Sequence, residues 1–335
     1  MKISILLPVY NTAPFLGECL DSILAQTEQH WELLAVDDFS TDASRSILED
    51  YAKMDARIRL VCKNESPEKG IVPSLRLAFR QATGQLITRM DSDDRMLPQK
   101  LSALKNLMVK NGKGHVATGL VEYFSAEGPG AGYRRYARWL NEVAISGTQA
   151  GNAYRECVIP SPCWMAWRQD LEVIAAFQDD IYPEDYDLCF RFLRAGFKIL
   201  AVPQVLHQWR DWPQRTSRND ERYRDNSYLD LKADWFARMD YDGSRPLVLW
   251  GGGRKGKRLA RLFLDKGMPF HWVCDNAGKW GKEIAGVTME SFEIIPAQPN
   301  PQIIIAVAAP DGQRTILDFL EKCGFEARRD YFFFC

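Results

Sequence analysis

Apolar and polar positions alternate in blocks along the first hundred residues. "ISILLPV" is a continuous apolar, β-branched run of the length of a buried strand. In "TAPFLGECLDSILAQT", Phe15, Leu16, Cys19, Leu20, Ile23 and Leu24 share one helical stripe, with Thr12 as N-cap and Pro14 in the first turn. "WELLAVDD" predicts a second strand, and "STDASRSILEDYAKM" a helix with Ile47, Leu48, Tyr51 and Ala52 facing inward. "IRLVC", "VPSLRLAFRQAT" and "QLITRM" continue as strand, helix and strand. Strands that alternate with helices predict a mainly parallel sheet covered on both faces. Ligands of such sheets bind beyond the carboxyl ends of the strands. Asp37-Asp38 and the cluster Asp91, Asp93 and Asp94 all follow strands, so both groups are expected on that edge.

Beyond Leu97 the pattern loosens. A helix is expected over about 98–111 and a strand over about 115–124, whereas "SAEGPGAGYRRYARWLNE" suggests no element. "SPCWMAWR" reads as a strand and "PEDYDLCFRFLRAG" as a helix opening on Pro183, Glu184 and Asp185. "YDGSRP" at 241–246 has the composition of a linker. After it, "LVLWGGGRKGKRLARLFLDKG" restarts a strand, glycine loop and helix. The expected organisation is a main domain over 1–240 and a small Rossmann-like α/β domain over 247–335.

Composition narrows the class. A length of 335 residues suits two domains, and 46% hydrophobic with 26% charged residues is ordinary for a globular chain. A formal charge of −1 argues against general nucleic-acid binding. The eight cysteines form no Cys-x-x-Cys pair and no cluster with histidine, which favours free thiols in a reducing cytosol. No stretch reaches the roughly 20 apolar residues of a membrane span. The expectation is a cytoplasmic protein whose membrane contact, if it has any, is peripheral, on the inner face.

Asp91 and Asp93, two residues apart at a strand end, can both offer oxygen to a hard divalent cation such as Mn²⁺ or Mg²⁺. A solvated acidic turn has the same residue types, and the surrounding motifs bear on the choice. Pro8-Val9-Tyr10-Asn11, Leu20, Ser22-Ile23, Gln26-Thr27, Val36-Asp37-Asp38, Ser40-Thr41-Asp42, Ala82, Gly84, Arg89 and Asp91-Ser92-Asp93-Asp94 occur in order over about 100 residues. This series resembles the N-terminal half of the family-2 glycosyltransferases, enzymes of the GT-A fold.

The resemblance implies a nucleotide-diphospho-sugar donor, a UDP-sugar by family habit, and a glycan or lipid-linked acceptor. It implies that Pro8, Tyr10 and Asn11 line the nucleotide pocket, with Ser92 nearby. Asp38 or Asp37 would contact the base or ribose, and Arg89 the ribose or phosphate. Asp93, assisted by Asp91, would hold the metal. The "EDYDL" stretch resembles the family's Glu-Asp motif, which implies that Asp185, or else Glu184, is the general base. A carboxylate at a helix N-terminus is also favoured by the helix dipole alone. The run "VLHQWRDWPQRTSR" resembles a segment of a bacterial subset of the family. Its Arg210, Arg215 and Arg218 have the forked donors that match a diphosphate, and His207 is a possible third metal ligand.

Gly251, Gly253 and Gly256 follow a strand, open a helix, and precede Asp275 by about the spacing of a dinucleotide-binding loop. Such a loop offers a second nucleotide site, or only a tight turn in an accessory domain. Two other readings therefore compete with sugar transfer. One is a nucleotide- or dinucleotide-binding protein that works through this loop. The other is a nucleotidyltransferase, although "PVYNTAPFL" after the first strand lacks the glycine-rich basic loop that class needs.

Overall fold

The computed structural model describes residues 1–63, 68–178, 180–219 and 228–335. Two compact units emerge, one of Met1–Gln149 with Val158–Arg224 and one of Ala150–Cys157 with Asp225–Cys335.

In the first unit the apolar runs form β1 (Ile3–Val9), β2 (Trp31–Asp37), β3 (Ile58–Val61) and β4 (Leu86–Arg89), all parallel. β1 and β2 are buried along almost their whole length, which is why they read as continuous apolar runs rather than alternating ones. Helices α1 (Ala13–Leu24), α2 (Ser44–Met54) and α3 (Ile71–Gln81) connect them. α1 buries Leu16, Cys19, Leu20 and Ile23, the predicted stripe. The chain continues through β5 (Arg95–Met96), α4 (Lys100–Asn111), β6 (His115–Phe124) and α5 (Ala131–Ser146). It then forms β7 (Trp164–Trp167), α6 (Arg168–Val173), α7 (Glu184–Arg194) and β8 (Lys198–Arg210). The sheet order is β3-β2-β1-β4-β7-β6-β8-β5, with β7 antiparallel to both its neighbours. β6 and β8 pair in parallel with a register shift at Gly119, where a Cβ would stand 2.6 Å from Leu206 Cδ1.

α5 occupies the stretch in which the sequence suggested no element. Its buried stripe is Ala137, Leu140, Val143 and Ala144, spaced for one helix face.

The second unit holds α8 (Leu229–Met239), β9 (Leu247–Trp250), α9 (Arg254–Asp265), β10 (Phe270–Cys274), β11 (Glu283–Ile284) and β12 (Val287–Ser291). β13 (Gln302–Ile305), α10 (Pro310–Lys322) and β14 (Tyr331–Phe333) complete it. Its sheet order is β11-β12-β10-β9-β13-β14, parallel except at the β11–β12 hairpin. α8 groups with this unit, on the far side of the expected junction at 241–246. The reason is aromatic packing: Tyr154 stacks on Phe334 at 5.0 Å, meets Phe236 at 5.9 Å, and bonds Asp240 through its hydroxyl at 2.5 Å.

Candidate active site

The carboxyl ends of β1, β2 and β4 gather the sequence-predicted residues on one edge. Arg89, the last residue of β4, sends Nε to Asp91 Oδ1 at 2.9 Å and Nη1 to Glu184 Oε1 at 2.8 Å. One guanidinium thus joins the strand-end acidic motif to the acidic start of α7, across 95 residues of sequence. Its side chain is 5% exposed, and Asp91, Glu184 and Asp185 together raise its pKa against the effect of burial. Arg89 is therefore a bridge inside the site, with both of these donors engaged by protein carboxylates.

Glu184 and Asp185 lie in different surroundings. Glu184 is buried against Arg89. Asp185 is only partly buried, and its Oδ1 accepts the Tyr186 backbone N–H at 2.8 Å. Burial first, then the charge of Glu184, pushes its pKa up to about 7. A carboxylate poised there exchanges a proton readily at neutral pH. Asp187 pairs instead with Arg191 one turn on, at 2.6 Å.

The acidic cluster carries more negative charge than its burial favours. Burial and Asp94 raise Asp93 to about 7, and burial raises Asp94 likewise. Asp93 Oδ2 accepts the Trp212 indole N–H at 2.7 Å, and Asp91 Oδ1 accepts Arg89. The second oxygen of each has no hydrogen-bond partner among the described residues. Two hard oxygen donors in an under-neutralised cluster fit a divalent cation that takes its remaining ligands from phosphate and water. No group of three or more His, Cys, Asp or Glu residues able to hold a metal forms among the described residues.

His207 in particular lies elsewhere than the sequence suggested. It is fully buried, with Nε2 3.0 Å from Asp94 Oδ2 and Nδ1 3.2 Å from Lys100 Nζ. With Lys100 donating to Nδ1, the neutral ring carries its hydrogen on Nε2 and donates to Asp94. Burial and the lysine charge hold its pKa well below the usual value. Both ring nitrogens are used, so none is left for a metal. Ser92 also turns inward: its hydroxyl accepts from Thr12 Oγ1 at 2.9 Å, and it is 6% exposed. Thr12, expected to cap α1 with its side chain, spends its hydroxyl on Ser92.

The three arginines after β8 divide. Arg210 Nε donates to the Asp93 carbonyl at 2.7 Å, another nitrogen pairs with Glu18, and its guanidinium lies over Phe15 and Phe124. It braces the acidic loop and has little left for a diphosphate. Arg218 pairs with Asp211 at 2.6 Å. Arg215 faces the cluster: Asp94, Tyr123, Asp93 and Asp91 all raise its pKa.

At the β1 and β2 ends, Asn11 Oδ1 accepts the Thr41 N–H at 2.8 Å and its own N–H donates to Ser40 Oγ at 3.0 Å. Tyr10 is 56% exposed, while Pro8 stays within β1 opposite Val36. Asp37 Oδ1 caps Ser40 N–H at 3.2 Å. Asp38 is held on both oxygens, Oδ1 by Lys63 Nζ and Oδ2 by the Gly70 N–H at 2.8 Å. A cavity of about 240 Å³ opens here, lined by residues including Asp37, Phe39, Ser40, Leu60 and Lys63. Sequence pattern singled out neither Phe39 nor Lys63. A lysine closing a short strand beside a carboxylate pair was the one available signal.

In the second unit Gly251 and Gly253 lie in the turn between β9 and α9, and Gly256 in the first turn of α9. A Cβ on Gly256 would stand 1.9 Å from the Gly251 carbonyl oxygen, so close backbone approach explains that glycine. The loop is braced by protein groups, with Lys279 Nζ on the Gly252 carbonyl at 2.9 Å and the Trp272 indole on the Gly251 carbonyl at 2.9 Å. Asp275 Oδ1 accepts the Trp250 indole at 3.3 Å.

Comparisons with known proteins bear on the fold and the family. Among solved structures, Staphylococcus aureus TarS 1-349 in complex with UDP-GlcNAc superposes with a TM-score of 0.54 at 17% identity, covering 79% of this chain and 72% of that one. The mannosyltransferase PcManGT from Pyrobaculum calidifontis, in complex with GDP-Man and Mn²⁺, gives 0.51 at 19% identity over 70% and 63%. These likenesses establish the fold, a GT-A glycosyltransferase sheet. In Bacillus subtilis strain 168, the "Putative glycosyltransferase EpsE" is 29% identical over 238 residues, 69% of this chain and 81% of the relative. The "Putative teichuronic acid biosynthesis glycosyltransferase TuaG" of the same organism is 34% identical over 108 residues, spanning 32% of this chain and only 42% of its own length. The model of glycosyl transferase family 2 matches residues 4–174, the span that carries β1 to β4, Arg89 and the acidic cluster. The chain belongs to glycosyl transferase family 2.

Proposed function

We propose that the first unit is an inverting, metal-dependent glycosyltransferase that moves a sugar from a nucleoside-diphospho-sugar, UDP being the nucleotide to test first, onto a hydroxyl of a glycan or lipid-linked acceptor. The observation that carries the reading is the Arg89 bridge, which brings Asp91 and Glu184–Asp185 into one electrostatic unit.

Asp185 is the general base. Its carboxylate takes the proton of the acceptor hydroxyl as that oxygen attacks the anomeric carbon. The bond from that carbon to the diphosphate oxygen breaks, and the nucleoside diphosphate leaves with the electron pair. Attack from the face opposite the leaving group inverts the configuration. Asp93 and Asp91 would hold a divalent cation, Mn²⁺ or Mg²⁺, which when bound supplies Lewis-acid neutralisation of the charge developing on the diphosphate. Arg215 adds positive charge on the same side. Arg89, Arg210 and the Lys100–His207–Asp94 chain fix the positions of these carboxylates. Tyr10, Asn11 and Asp37 frame the nucleotide end. We assign the chemistry to the first unit and read the second as accessory, its glycine loop taking no part.

No helix among the described residues is long and apolar enough to cross a membrane. A lipid-linked acceptor would then be met at the bilayer surface.

The test is calorimetric titration of UDP, GDP, CDP and NAD(H) into the purified protein with and without Mn²⁺, repeated on Asp93→Ala. Metal-dependent binding of one nucleoside diphosphate, lost in Asp93→Ala, is the expected result. Binding of NAD(H) or a nucleotide that ignores both the metal and the substitution would move the working site to Gly251–Gly256 and overturn the reading.

A further inference from the structure

We propose that Phe39 is the aromatic platform on which the donor's nucleobase stacks. The inference rests on the donor site proposed above and names a residue that neither sequence pattern nor motif points to.

Three observations converge on Phe39. Its backbone lies at φ 60°, in the left-handed region, which a bulky residue without local hydrogen-bonding capacity rarely adopts. Such conformations persist where neighbours over-determine them and gather at ligand clamps. Here the neighbours are explicit. Asp38 N–H donates to the Val9 carbonyl at 2.7 Å, and Ser40 N–H donates to Asp37 Oδ1 at 3.2 Å, so both sides of Phe39 are pinned.

That backbone turns the ring out of the core. Phe39 is 40% exposed, and its ring forms part of the wall of the 240 Å³ cavity between the β2 and β3 ends. Large apolar side chains left exposed at a cavity mouth point to a ligand when the core could have taken them.

The ring has a cationic frame. Lys63 Nζ and Lys69 Nζ lie over it, 5.5 and 5.6 Å from its centroid, and Lys63 is itself paired with Asp38. An aromatic ring with Lys69 beside it, and Lys63 held by Asp38, matches a planar base carried on a polyanionic phosphate chain. The neighbouring carboxylates are partly committed to the protein. Asp38 has both oxygens committed to Lys63 and Gly70, and Asp37 caps Ser40. Asp37 Oδ2 is left for the edge of a base, and the Phe39 ring for its face.

Phe39→Gly is the decisive variant, because glycine adopts φ 60° without strain. The variant should melt no lower than the native protein, so lost binding cannot be blamed on misfolding. Calorimetry with UDP, GDP, CDP and inorganic pyrophosphate, all with Mn²⁺, is run on the native chain, Phe39→Gly and Phe39→Tyr. The expected result is a roughly 5- to 150-fold weakening of the preferred nucleoside diphosphate in Phe39→Gly, the size of one base–aromatic stack, with less than about threefold change in Phe39→Tyr. Pyrophosphate affinity should not change. Native-like nucleoside diphosphate affinity in Phe39→Gly, or an equal loss for pyrophosphate, would overturn the role of Phe39 while leaving the donor site standing. Failure of the native chain to bind any nucleoside diphosphate would overturn both.

Discussion

Asp185→Asn separates the base from the scaffold. The asparagine keeps an oxygen to accept the Tyr186 N–H and nearly the same volume, but it cannot take a proton from an acceptor hydroxyl. A general base is typically worth about 10²–10⁴-fold, so turnover should fall by that factor while donor affinity changes little. Stability should move the other way. The native pKa, raised from 3.8 to about 7, means the folded state holds a proton that the unfolded chain releases between about pH 4 and 7. Stability contributed by this group is therefore lost as pH rises through that window. The full shift corresponds to about 4 kcal/mol, and partial exposure of Asp185 reduces the expected gain on neutralisation to about 1–2 kcal/mol at pH 8. At pH 4 the two proteins should unfold alike. The same titration predicts that native transfer activity falls about tenfold per pH unit below 7. The assays are urea unfolding at pH 4 and 8 and transfer rates from pH 5 to 9. An Asp185→Asn protein that is less stable than the native one at pH 8, or that keeps its turnover, would refute the reasoning.

Other substitutions probe the framework. Arg89→Met leaves Glu184 and Asp91 without their shared partner and should cost about 3–5 kcal/mol in urea unfolding, whereas Arg89→Lys should fold but lose much of its turnover. Glu32, at the opposite edge of the sheet, accepts Lys2 at 2.7 Å and Ser4 at 2.6 Å, and these and other bonds hold its pKa at about 2 despite burial. Because that pKa is depressed, Glu32→Gln should lose about 2–3 kcal/mol near pH 7, and the deficit should shrink as pH falls from about 4.5 towards 2. Gly256→Ala forces a Cβ onto the Gly251 carbonyl and should lower the melting of the second unit, with little effect on metal-dependent nucleotide binding.

The βα alternation of the first ninety residues was legible because β1, β2 and β4 are buried on both faces and α1 shows one apolar stripe. The acidic groups were legible for the same reason: a carboxylate that follows such a run must emerge at a strand end. What the pattern could not show is which partner each side chain takes from 80 or more positions away. His207 reads as a free ligand until Lys100 and Asp94 are seen on its two nitrogens. Ser92 looks like a site residue until Thr12 turns it inward, and Arg210 like a phosphate fork until the Asp93 carbonyl and Glu18 claim it. α5 was hidden because glycine and proline crowd its approach and its apolar stripe begins only at Ala137. Phe39 was hidden because no periodicity encodes a positive φ. The second-unit boundary depended on Tyr154, an isolated aromatic whose partners lie up to 180 residues further along the chain.

The central claim is that acceptor attack, with Asp185 as base, displaces the diphosphate from the opposite face. Glycosyltransferases that lack their acceptor can pass the sugar slowly to water, which reports on the same geometry. Time-resolved proton NMR of an α-linked donor of the preferred nucleotide, with Mn²⁺ and native protein, reads the configuration of the sugar released before it equilibrates. The account predicts that the β anomer appears first and that Asp185→Asn abolishes its formation. First appearance of the α anomer, or equal release by Asp185→Asn, would contradict it.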